Sequence, residues 1–97
     1  TGRGEACILV GGTRLTVELM RQGKSPAEAA QETLYRVCEM TKDARLLVEP
    51  GKPNFDLNFY AVNKDGEHGA ARIYSGGRYA VNDGGNSRSP KACATAQ

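Results

Sequence analysis

The residues with the clearest capacity for chemistry open the chain. Thr1-Gly2-Arg3-Gly4-Glu5 runs straight into a segment of helical periodicity. A helix that starts after glycines leaves free amides pointing outward, and the helix dipole adds partial positive charge at the same place. Glycines let a ligand approach the backbone closely. A threonine hydroxyl beside a glycine amide supplies two donors converging on one point, as an oxyanion hole requires. Thr1 admits a second role. A threonine exposed by cleavage carries its own base, the α-amine, and can act as an acyl-forming nucleophile. The bland alternative is a tight turn before a helix.

Other reactive residue types do not assemble into a set. Cys7, Cys38 and Cys93 are far apart and odd in number, and no C-x-x-C occurs. With the lone His68 they make no zinc site. Cys7 and Cys38 read as small buried residues on helices; an intrachain disulfide stays open, and with it the redox compartment. Asp56, Asn58, Asp65 and Glu67 lack the spacing and the bidentate glutamate of a calcium loop, so a strand and a turn account for them. Arg3, Arg14 and Arg21 fall on one polar helix strip, with Glu18 placed to pair with Arg14; a solvated face is the expectation. His68 reads as structural. Tyr60, Tyr74 and Tyr79 are expected to pack in a sheet with their hydroxyls at its edge. No metal and no cofactor is called for.

With 97 residues the chain is one domain or part of one. A chain this short buries a modest share of its surface, so a partner that completes the core fits. The hydrophobic fraction of 39% and charged fraction of 25% exclude disorder throughout. A net charge of +2 is too small to argue for nucleic acid or an anionic membrane surface. No apolar run approaches the roughly 20 residues that span a bilayer, and no basic-then-apolar leader is present. The first residue is Thr1 rather than Met, so the expectation is a processed chain or one that begins inside a longer gene. Both readings, and the compartment, stay open.

The elements that position these residues follow from the pattern. From Arg3 or Glu5 to Gln22 the sequence predicts one helix, with Ile8, Leu15 and Leu19 on a common face and an apolar arc wide enough to be sandwiched between layers. Gly11-Gly12 lies within it, where another backbone comes close or the helix bends. Gly23 suits its C-terminal left-handed position. Ser25-Pro26-Ala27-Glu28 is a capping box with proline at the first helical position. It opens a second helix to about Thr41, with Ala27, Ala30, Leu34, Val37 and Cys38 inward. Residues 43–54 read as a loop. A strand over Phe55–Val62, a turn at Asn63-Lys64-Asp65-Gly66 and a strand over Glu67–Tyr74 make a hairpin. Within it, Gly69, Ala70 and Ala71 imply close packing under a helix. Arg78–Asn82 gives a third strand, and residues 83–97 a loose tail. The fold class is α/β in the α+β sense: two helices on an antiparallel sheet.

Several stretches together resemble the aspartylglucosaminidase (glycosylasparaginase) family. They are Thr1-Gly2-Arg3-Gly4-Glu5, Gly12-Thr13-Arg14-Leu15-Thr16-Val17-Glu18-Leu19-Met20-Arg21-Gln22-Gly23, Ser25-Pro26, Ala29-Ala30, and Phe59-Tyr60-Ala61-Val62-Asn63-Lys64-Asp65-Gly66-Glu67 with Gly69-Ala70. The resemblance runs to about Asn82 and implies the C-terminal part of the β-subunit of an N-terminal-nucleophile hydrolase, folded as a four-layer αββα sandwich. It implies a precursor that cuts itself to free a threonine, which attacks the β-amide carbonyl of an asparagine derivative. On that matching Thr1 and Gly2 are the oxyanion donors, and Gly4 contacts the α-amino or α-carboxylate end of the substrate. The nucleophile, and the arginine and aspartate that hold the substrate's α-groups, should precede Thr1 and are absent from this sequence, so this chain alone is expected to be inactive. The implied partners are the α-subunit, the N-terminal part of the β-subunit and a second αβ unit, with no nucleic acid and no membrane. Isoaspartyl peptidase/asparaginase of the same superfamily is one alternative. A non-catalytic α+β module that binds an anion or a protein is the other.

Overall fold

Each helix boundary has a local cause. The computed structural model describes residues 1–82 and 84–95. Helix α1 spans Gly4–Val10 and α2 spans Gly12–Arg21, separated by Gly11 in the left-handed conformation (φ 63°, ψ 45°). The single helix expected from the periodicity is therefore two. Gly11 adopts a backbone that other residues avoid, and Gly12 is needed for space: a Cβ there would lie 2.5 Å from Phe59 Cζ and 2.9 Å from Cys7 Sγ. The break re-phases α1 against α2. Leu19 stays buried, but Ile8 is 79% and Leu9 75% exposed, and Ala6 is the buried residue of α1.

Helix α3 spans Pro26–Met40 and carries the expected cap. Glu28 N donates to Ser25 Oγ at 3.2 Å, and Ser25 N donates to Glu28 Oε1 at 3.1 Å. Its inward face is Ala29, Ala30, Thr33, Leu34, Val37 and Cys38. Thr33 and Thr16 hydroxyls meet at 2.7 Å between α3 and α2. Each also lies within hydrogen-bond reach of a carbonyl of its own helix, Ala29 O at 2.9 Å for Thr33 and Gly12 O at 2.8 Å for Thr16; with one proton apiece, one hydroxyl donates across to the other, which donates to its own carbonyl. Both are thereby satisfied although buried.

Residues 43–54 are more ordered than a loop. A short 3-10 turn at Ala44–Leu46 leads into strand β1, Leu47–Glu49, which pairs antiparallel with β2, Lys52–Pro53. Strands β3, Asn58–Val62, and β4, His68–Arg72, form the expected hairpin, in register from Asn58↔Arg72 to Val62↔His68. Its turn is closed by Asn63 Oδ1, which accepts from Asp65 N and Glu67 N, and by Gly66 at φ 84°. Gly69 lies under α3 as its size implied: a Cβ would stand 2.5 Å from Ala27 N.

The third strand of this sheet is not Arg78–Asn82. It is β7, Cys93–Ala94, and it runs parallel to β4. Val81–Asn82, β5, instead pairs with β6, Ser87–Arg88, in a separate hairpin. Segment 77–79 is drawn along 90–92: Ala92 N donates to Gly77 O at 2.9 Å, and Tyr79 N donates to Pro90 O at 3.1 Å. That pairing carries the chain away from the β4 edge, which β7 then takes, fastened to α3 by Gln31 Nε2 on Ala94 O at 2.7 Å. The segment expected to be a tail thus contains β6 and β7; Asp83, Ala96 and Gln97 lie outside the described residues.

Among the described residues the result is a small α+β unit with three α-helices and several short sheets. The core joins Ala6, the α3 face, Leu57, Phe59, Ala71 and Ile73. Cys7, Cys38 and Cys93 are free thiols, and burial pushes the Cys38 thiol up from its ordinary pKa.

Candidate functional site

Thr1 and Gly2 lie alongside the start of β3. Thr1 N donates to Asn58 O at 2.5 Å, and Asn58 N donates back to Thr1 O at 2.7 Å. Gly2 faces Leu57 in an antiparallel bridge. In an antiparallel ladder, residues that exchange both bonds alternate with residues whose amides point away from the partner. Thr1–Asn58 is the bonded pair, so the Gly2 amide is turned away from Leu57. Gly2 sits at φ 130°, and a Cβ there would lie 2.5 Å from Asp56 O and 3.1 Å from Leu57 Cα. Conformation and space both demand glycine at this position.

Gly2, Arg3, Gly4 and Glu5 line one side of a cleft of about 540 Å³, and Phe55 and Asp56 line the other. Among the described residues no side chain caps α1, and Ala6 N, already on Arg3 O, is the first of its amides with a partner within the turn. A Cβ on Gly4 would enter open space. Of the three residues singled out from sequence, Gly2 and Gly4 line this opening, and Thr1 precedes them on the chain, paired with Asn58.

Asp56 and Phe55 were not legible from sequence. Asp56 is the residue that fixes the far wall. Arg72 donates to its Oδ2 from Nη2 at 2.6 Å and from Nε at 3.1 Å. The amides of Ile73 and Leu57 donate to its Oδ1 at 3.0 and 2.8 Å. The pair is half-buried, and both carboxylate oxygens are engaged. One signal existed: an aspartate just ahead of an apolar strand start. Nothing local marks its partner, 16 residues on. Phe55 faces Arg3, whose guanidinium carbon lies 5.4 Å from the ring centroid.

The remaining polar residues serve the scaffold. Arg14 and Arg21 both pair with Glu18, as a solvated strip should. The hydrogen bonds from Arg21, then Gln22, pull the Glu18 carboxyl from 4.5 to about 2. Tyr79 Oη and His68 Nδ1 are 3.0 Å apart, and Arg88 Nη2 lies 3.1 Å from His68 Nε2. A guanidinium only donates, so Nε2 accepts and Nδ1 carries the proton toward Tyr79. Tyr74 Oη donates to Pro53 O.

No family model matches the chain. The chain is similar to the N(4)-(beta-N-acetylglucosaminyl)-L-asparaginase of Elizabethkingia miricola, 39% identical over 85 residues. Those residues are 86% of this chain and 23% of that relative. The chain therefore spans about a quarter of the length of the relative it matches.

Proposed function

We propose that this chain is one portion of an N-terminal-threonine amidohydrolase that cleaves β-aspartyl amides, and that Thr1 and Gly2 hold the charge that develops on the scissile carbonyl. The observation that carries the site assignment is the outward-turned Gly2 amide beside Thr1, at the mouth of an open cleft. The 39% identity to a named asparaginase supports the reaction class.

In this reading a threonine freed by self-cleavage, on a segment outside this chain, adds to the β-amide carbonyl. Its hydroxyl proton passes to that threonine's own α-amine. The carbonyl oxygen becomes an oxyanion and accepts from Gly2 N–H and the Thr1 hydroxyl. The C–N bond then breaks, the amine leaves with the proton, and an aspartyl ester remains. Water cleaves the ester and restores the threonine. Gly4 lies close by in the same cleft, where the open space over it suits the amino or carboxylate end of the substrate.

The nucleophile role for Thr1 itself is the weaker reading. Its nitrogen donates to Asn58 O, the place of a strand amide in the ladder, which favours a chain continuing through this position over a free catalytic amine. The layered αββα body, the α-subunit, the N-terminal part of the β-subunit and a pairing of two αβ units belong to the same proposal. Its support is the short stretch of the relative that this chain spans and the apolar residues left exposed, Ile8, Leu9, Tyr60 and Val62.

The test is mutational, in the intact enzyme. Thr1→Val should lower kcat by about 10²–10³-fold, as loss of one oxyanion donor does. Thr1→Ser keeps the hydroxyl and should be much milder. A Thr1→Val enzyme with unchanged kcat removes Thr1 from the mechanism.

A further inference from the structure

The cleft contains a side chain that the oxyanion reading leaves without a task. Arg3 lines it together with Gly2, Gly4, Glu5, Phe55 and Asp56. Helix α1 does not need the Arg3 side chain: the backbone oxygen of Arg3 accepts from Ala6 N and Cys7 N, at 3.2 and 3.4 Å. The guanidinium is instead set over the Phe55 ring. A cation over an aromatic face is attracted to it, which helps to place the guanidinium beside the cleft. Of its donors, one meets Glu5 Oε1 at 3.2 Å. The Glu5 side chain is 72% exposed, and an ion pair of that kind is weak and readily exchanged. The other carboxylate of the cleft, Asp56, is already held by Arg72 and two amides. Among the described residues lining the cleft, Arg3 is the cation that an incoming anion meets.

We propose that Arg3 is a specificity-determining residue: set against the Phe55 ring, it binds a carboxylate of the leaving group in place of Glu5 while Gly2 receives the carbonyl oxygen. This rests on the amidohydrolase reading above. The α-carboxylate of the aspartyl moiety is common to every substrate and is left to the upstream arginine of the same reading. A carboxylate on the leaving group is present only in some substrates.

The experiment compares two substrates in the intact enzyme, a β-aspartyl dipeptide with a free C-terminal carboxylate and a β-aspartyl amide with a neutral leaving group. Arg3→Gln should lower kcat/KM by about tenfold where the carboxylate is read, the size expected for losing a hydrogen bond to a charged group. A loss confined to the dipeptide assigns the leaving-group carboxylate. An equal loss on both substrates overturns that assignment. Glu5→Gln frees Arg3 and should raise kcat/KM on the dipeptide, an opposite sign that a merely structural role would not produce. Arg3→Lys keeps the charge without the planar fork and should fall between. If Arg3→Gln leaves both substrates unchanged, or Glu5→Gln lowers both, the proposal is overturned. Thr1→Val separates the two levels. A slow Thr1→Val enzyme with a silent Arg3→Gln sinks only the role of Arg3, whereas an unaffected Thr1→Val enzyme sinks the amidohydrolase reading beneath it.

Discussion

Gly2 and Gly4 stand two residues apart, line the same cleft, and are glycine for different reasons. At Gly2 a side chain would strike the backbone of Asp56 and Leu57, and φ is 130°. Gly2→Ala must strain the backbone and push the chain off β3, at about 2–4 kcal/mol. It should lose stability and rate together, read by urea unfolding and by kcat. At Gly4 the same methyl enters open space, so Gly4→Ala should leave the unfolding midpoint nearly unchanged. If Gly4 meets substrate, the KM of the Gly4→Ala enzyme rises all the same; a KM equal to the parent's would remove Gly4 from the site. Asp56 is the third test at this scale. Asp56→Ala strands the Arg72 guanidinium and the amides of Ile73 and Leu57, and should destabilise by about 2 kcal/mol. An unchanged stability would show that this pair does not hold the wall of the cleft.

Among the elements, those with local causes were the ones the sequence made visible. The Ser25–Glu28 box is complete within four residues, and Ser25→Ala should lower stability by about 1 kcal/mol. The β3–β4 hairpin follows from alternation and an Asp-Gly turn. The break at Gly11 did not show, because a glycine pair is compatible with a continuous helix, a bend or a stop, and the choice is made by Phe59 and Cys7 against Gly12. The parallel β7 did not show either, since two residues after a polar stretch carry no periodicity. The site divides the same way. Gly2 and Gly4, which line the cleft, are near neighbours in sequence, whereas Phe55 and Asp56 meet them only through the bridge of Gly2 to Leu57. Helix α2 offers a test by pH. The folded Glu18 carboxyl is lowered from 4.5 to about 2, chiefly by its bond to Arg21. A lowered folded pKa means that the contribution is fully present above the ordinary value and is lost as pH falls from 4.5 toward 2. Melting temperatures measured between about pH 5 and 2 should therefore fall less steeply for Glu18→Gln than for the parent. Parallel slopes would show that the Arg14–Glu18–Arg21 cluster is screened to nothing.

At the scale of the whole molecule, apolar residues face outward on both layers. Ile8 and Leu9 project from α1, the latter beside Met40 in a shallow hollow, and Val62 and Tyr60 project from the sheet. Scattered exposed apolar residues are ordinary; two adjacent ones on a short helix fit the proposal that further segments lie against this face. The chain spans 23% of the relative it matches, and the remaining segments proposed above are the proposed cover. The double variant Ile8→Gln, Leu9→Gln turns this into an experiment with opposite signs. In residues 1–97 expressed alone, it removes apolar surface from water, so binding of a hydrophobic dye and self-association should both fall, with the melting temperature held. In the intact enzyme the same change strips two buried side chains, at about 1.5–3 kcal/mol each, so the melting temperature should drop by several degrees. Equal melting temperatures for parent and variant in the intact enzyme would mean that α1 faces solvent there as well, and that the larger body does not lie against this helix.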